Sequence, residues 1–121
     1  MKRCKFYKGG IESGAYIEVV FLSLLAKEPS YGYKLIEDAS KFGIPSEVLE
    51  KGIAYRILRK LEYFGFVNSH WVTEESGMPK RMYTINKAGM DMLKKWYKDA
   101  EQYINNLIKL REWVKDLIGE Q

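Results

Sequence analysis

Between positions 52 and 64 the apolar residues recur at the spacing of a one-sided helix. Ile53, Ile57, Leu61 and Phe64 stack on one side, Ala54 and Leu58 widen the stripe, and Gly65 stops it. The other side carries Gly52, Tyr55, Arg56, Arg59 and Tyr63, with Lys51 at its margin. Upstream, from Ser13 as N-cap to about Lys27, the residues Ala15, Ile17, Val19, Val20, Phe21, Leu22, Leu24 and Leu25 are too dense for a surface helix. A helix apolar nearly all round is buried between layers or at a subunit contact. Pro29 and Ser30 separate it from a second helix over 31–39, with Ser30 as N-cap and Leu35, Ile36 and Ala39 turned to the core. Gly43-Ile-Pro45 is a turn, and 46–50 leads into the helix of 51–64.

After Gly65 the period changes. Positions 66–73 and 81–85 are rich in β-formers, and the charged, turn-rich 74–80 between them predicts a hairpin with a long tip. Asn86 can cap a final helix that starts at Lys87. There Leu93, Trp96, Ala100, Tyr103, Leu107, Leu110, Val114 and Leu117 alternate in steps of three and four, a heptad seam without a break. A helix of about thirty residues is roughly 45 Å long and outreaches the domain before it. Its seam must meet another chain or fold back, and the regular spacing favours a partner helix, hence a dimer. The expected fold is mostly α with a small β-hairpin: a winged helix-turn-helix over 1–86 and a dimerisation helix over 87–121.

Charge sharpens this picture by where it lies. The 121 residues carry a net charge of +4, and from Lys87 onward seven basic residues face six acidic ones. The excess gathers at Lys2, Arg3, Lys5 and Lys8, at 51–60, and at Lys80-Arg81, which fits a nucleic-acid footprint better than general solubility. Residues 1–12, with Gly9-Gly10 as a break, are expected to form a mobile basic arm. Cys4 is the single cysteine, so no internal disulfide or multi-cysteine zinc site is available. His70 lacks ligand partners nearby and reads as a strand-surface residue. The most apolar run, 19–26, is far too short to cross a bilayer, and no charged-then-apolar leader precedes it. A cytoplasmic protein without a metal or cofactor is expected. No Ser/His/Asp set and no phosphate loop supports an enzyme.

The order of these pieces, and the residues in them, resembles the PadR-like transcriptional regulators. The resemblance runs through Lys8-Gly9, Leu24-Leu25, Pro29-Ser-Tyr-Gly-Tyr33, Gly52-Ile-Ala-Tyr55, Leu58-Arg-Lys-Leu-Glu62 and Gly65-Phe-Val67 with Ser69 and Trp71. It continues through Lys80-Arg81, Tyr83-Thr-Ile85 and Gly89. With one long C-terminal helix the chain looks like the family's short branch. The resemblance implies a homodimeric repressor on a palindromic operator, in some members released by a small aromatic or cationic compound bound near the dimer interface. Two positions depart from the family pattern. Arg56 stands where a proline usually follows the tyrosine, and Lys51 where a small hydroxyl residue often precedes the glycine. Both add positive charge to the same face.

On this plan the helix of 51–64 enters the major groove of double-stranded DNA. Arg56 and Arg59 read guanine edges or grip phosphate, Tyr55 contacts phosphate or a base edge, and Lys51 adds charge. Tyr31 and Lys34, at the start of the preceding helix, are expected on backbone phosphates. Lys80 and Arg81 bring the wing to the adjacent backbone or minor groove. Trp96, with Tyr97 beside it, could sandwich a flat or cationic effector across the dimer axis, although the seam pattern favours plain packing. An arginine-bearing amphipathic helix taken alone is usually just a solvated surface. Two other readings therefore stand beside the sequence-specific one: an architectural binder that touches phosphate only, and a winged-helix dimer used as a protein-interaction module.

Overall fold

The computed structural model describes residues 13–73 and 77–120, with side chains from Tyr16 onward. The expected basic arm of 1–12 lies outside the described residues, as do 74–76 of the hairpin tip. The elements are α1 (Ser13–Lys27), β1 (Ser30–Tyr31), α2 (Gly32–Ala39), α3 (Ser46–Leu49), α4 (Ile53–Tyr63), β2 (Val67–Thr73), β3 (Pro79–Ile85) and α5 (Lys87–Ile118). A single 3₁₀ turn, Ser40–Phe42, follows α2. This is the expected mostly helical winged-helix plan with a long C-terminal helix. The wing is a three-stranded antiparallel sheet in the order β1-β3-β2.

The third strand is a correction to the sequence reading. Ser30 does not cap α2. It pairs with Tyr83 across β1 and β3, Tyr31 takes the N-cap position without a side-chain cap bond, and the helix begins at Gly32. The Ser30 hydroxyl is buried without a hydrogen-bond partner among the described residues. A two-residue strand has no periodicity of its own, and its pairing partner lies some fifty positions away along the chain. The hairpin itself is in register from Val67↔Ile85 to Thr73↔Pro79, so β3 starts two residues earlier than its β-formers predict.

α1 lies between layers, against α2, α5 and β3. Its Phe21 and Leu22 join Leu35, Leu49, Leu58, Leu61 and Phe66 in the core. One polar residue goes in with them. Glu18 is buried, and its Oε2 stands 2.7 Å from Lys60 Nζ on α4.

α4 is bounded by two glycines that only that residue type suits. Gly52 (φ +87°) turns the chain out of α3, and Gly65 (φ +85°) ends the helix. At that end the Phe66 N–H donates to the Leu61 carbonyl (2.9 Å) and the Gly65 N–H to the Glu62 carbonyl (3.0 Å), a Schellman closure that aims the chain straight into β2. The helix thus opens at Ile53, leaving Lys51 and Gly52 in the preceding turn.

Asn86 caps α5 as expected: its Oδ1 accepts the Gly89 N–H at 3.0 Å. The same side chain donates from Nδ2 to the Gly65 carbonyl at 2.9 Å and to Asn68 Oδ1 at 3.1 Å, tying the end of α4, the start of the wing and the long helix into one corner. Along α5 the seam divides. Met92 and Ala100 are buried, and Leu93 and Trp96 pack on the core. From Tyr103 to Leu117 its members are exposed.

Candidate nucleic-acid interface

The amphipathic design of α4 places its two faces as the periodicity predicts. Ala54, Leu58 and Leu61 are fully buried, while Tyr55, Arg56, Arg59 and Tyr63 stand outside. Neither Arg56 nor Arg59 is ion-paired with a carboxylate among the described residues. Their guanidiniums therefore remain available to an anion. Lys60, one position on, is taken by Glu18 and faces inward.

The wing leans toward this face and forms an open cleft of about 870 Å³ with α4 and the start of α2. Of the residues expected to touch DNA, Tyr31, Tyr55, Arg59, Lys80 and Arg81 all line it. The tyrosine is held with care. A Cβ on Gly32 would run into the ring of Tyr55, so the phenol packs directly against the backbone at the first turn of α2. On the wing, Lys80 Nζ sits 4.3 Å from the centre of the Tyr31 ring, and the Arg81 guanidinium 5.1 Å from the Trp71 ring. Arg81 also approaches Glu62 Oε1 at 4.0 Å, and the other oxygen of Glu62 accepts the Ser69 hydroxyl at 2.7 Å. A carboxylate at the end of α4 thus holds both strands of the hairpin.

Beneath the cleft, burial pushes the phenol of Tyr83 above its usual 10.0, against the opposing pull of Arg81. It stays a neutral hydroxyl throughout the physiological range.

The chain falls within a known group of proteins. The family model for PadR-like transcriptional regulators matches residues 21–95. The chain belongs to that family. No curated protein matches it. Among solved structures it is similar to a conserved protein of unknown function described as a potential transcriptional factor, with 31% identity, TM-score 0.70, and coverage of 93% of this chain and 99% of that one. A PadR family transcription regulator from hypervirulent Clostridium difficile matches at 26% identity and TM-score 0.56, over 86% and 95% of the two chains. Bacillus subtilis PadR in complex with operator DNA shares the fold at 23% identity and TM-score 0.58, over 68% of this chain and 46% of its own.

Within this PadR-like regulator, not every predicted residue joins the cleft. Lys34 points to the other side of α2, toward the end of α1, and pairs with Asp38 at 3.2 Å. That hydrogen bond and charge raise its pKa. Lys51 is exposed in the turn before α4, and Arg56 on the helix outside the cleft wall.

Tyr33, Glu62, Tyr63 and Trp71 also line the cleft, beyond the site residues that the sequence predicts. Tyr63 belongs to the cationic face of α4, but Tyr33 meets that face only through the packing of α2 on α4, and Trp71 only through the wing's approach. Trp96 and Tyr97 lie on a separate shallow hollow along α5 with Ala100 and Ile104. The indole N–H of Trp96 is buried with no acceptor among the described residues. Among the described residues no group of metal-ligating side chains occurs and no helix is long and apolar enough to cross a membrane.

Proposed function

We propose that this PadR-like regulator is a homodimeric, sequence-specific DNA-binding repressor acting in the cytoplasm. The observation that carries the reading is the exposed Tyr55, Arg56 and Arg59 of α4 beside a wing bearing Lys80 and Arg81, with no carboxylate claiming the two helix arginines among the described residues. α4 enters the major groove, where Arg56 and Arg59 supply bidentate forks for guanine or phosphate. Tyr55 and Tyr31 give hydroxyls to the backbone, and Lys51 and the wing cations add phosphate contacts, whereas Lys34, turned away and paired with Asp38, takes no part. Operator DNA is the partner of Bacillus subtilis PadR, which shares the fold, and duplex DNA is therefore the first ligand to test.

Residues 1–86 form the DNA-binding unit, and 87–121 joins two copies. The exposed seam of Tyr103, Leu107, Leu110, Val114 and Leu117 supports that joining, because water is a poor neighbour for so long an apolar stripe. Leu93, Trp96 and Ala100 continue the same seam into the domain. A flat or cationic effector at Trp96 and Tyr97 would act on the spacing of the two reading helices.

The experiment is an electrophoretic shift with the duplex upstream of the protein's own gene. Arg59→Ala should weaken binding and lower the salt slope by about one. Equal affinity of the variant and the parent across a salt series would remove the assigned face. Equal affinity of the parent for all sequences would leave an architectural binder, and indifference to duplex at low salt a protein-interaction module.

A further inference from the structure

The cleft between α4 and the wing is lined more heavily with aromatic rings than contact with paired DNA requires. Tyr33 is 68% exposed, Trp71 62%, Tyr63 82% and Tyr55 43%, all around one cavity. Leaving four large rings in water is unfavourable, and their hydroxyls alone do not explain it, since a tryptophan has none. In a paired duplex both faces of each base are covered by neighbouring bases, so a ring on the protein has no base face to stack on. An unstacked base does.

The charge in the cleft points the same way. Arg59 and Arg81 against Glu62 leave it cationic, so a planar occupant should also carry an anionic group. Arg81 already stands 5.1 Å from the Trp71 ring, so the indole is held at the cleft as a platform that remains largely exposed. The 870 Å³ of the cleft is of the size that ligand sites commonly have.

We propose that this cleft is a subsite for an unstacked nucleotide, with the base on the Trp71 and Tyr55 rings and the phosphate toward Arg59. The nucleotide can come from a single strand, or arrive as a free mononucleotide. Aromatic platforms in a cationic groove are the usual means by which proteins hold single strands without reading their sequence. Binding there would occupy the same face as duplex DNA and exclude it. The inference rests on the DNA-face reading of α4, and the two can fail separately.

The test uses the full chain and fluorescence anisotropy with a labelled fifteen-nucleotide oligothymidylate and, in parallel, a labelled duplex. Single-strand binding is expected, with Trp71→Ala weakening it about tenfold and the duplex much less, and with Trp71→Phe restoring most of the loss. Tyr33→Ala, which leaves the wing intact, should show the same selectivity. Adenosine monophosphate added in competition identifies the source. Displacement of the oligonucleotide shows that a free nucleotide suffices, and its absence that the strand is needed. No oligothymidylate binding at low salt, or equal losses for strand and duplex in both alanine variants, overturns the proposal. Duplex binding lost with single-strand binding kept would instead sink the operator reading.

Discussion

Tyr55 of α4 and Gly32 of α2 are in such close contact that a side chain at position 32 would have to share space with the tyrosine ring, its Cβ standing only 2.9 Å from Cζ and 3.1 Å from Cδ1. The contact locks the most exposed aromatic of the α4 first turn across the start of the neighbouring helix.

Gly32→Ala is expected to push Tyr55 off this seat while leaving α2 helical, since alanine favours a helix by up to about 1 kcal/mol over glycine. Duplex affinity should fall about tenfold with the far-ultraviolet circular dichroism unchanged. In a double-mutant cycle, Tyr55→Ala should then add little further loss. A full additional loss would show that Tyr55 acts without Gly32.

The pairing of Glu18 with Lys60 joins α1 to the back of α4. The Glu18 side chain is 2% exposed and that of Lys60 35%. Lys60→Met removes the partner and strands a buried charge, at a cost of about 3 kcal/mol, the low end for such pairs because Lys60 itself reaches water. Urea denaturation should register that loss. Replacing both residues, Glu18→Leu with Lys60→Met, should recover most of it. A single Lys60→Met variant as stable as the parent would mean that the pair carries no weight in holding α4.

Tyr83 gives a pH dependence whose sign follows from its burial. Its folded pKa lies above the unfolded 10.0, so the folded state keeps the proton more tightly. The contribution is complete below pH 10 and is lost as pH rises through the folded value. Tyr83→Phe keeps the ring and should remove this alkaline loss. Denaturation midpoints of the two proteins should therefore diverge between neutral pH and pH 11, with the variant less affected.

The exposed half of α5 gives the fourth prediction. Leu110→Lys places a charge in the middle of the apolar stripe and two charges face to face in a symmetric pair. Sedimentation equilibrium should show a parent dimer and a variant shifted to monomer, with duplex affinity reduced as the second half-site is lost. A variant as dimeric as the parent would place the contact elsewhere.

Much of this was legible one segment at a time. The inward and outward sides of α4, the extent of α5, the Asn86 cap and the hairpin follow from periods and end signals that act between residues a few positions apart. Near-neighbour geometry is the same in the sequence and in the fold. The cationic face of Tyr55, Arg56 and Arg59 belongs to this group.

The rest was decided by contacts between distant segments. β1 exists because β3 lies beside it, which turned Ser30 from a helix cap into a buried strand residue. Glu18 stands inside an apolar helix because Lys60 reaches it from α4. Arg81 looks like a plain wing cation in the sequence, yet it is held over Trp71 and beside Glu62. Lys34 shares a helix end with Tyr31 and faces the opposite way. Local pattern says which side of each element is buried. Only the packing of one element on another says which exposed sides meet, and the aromatic cleft is made wholly of such meetings.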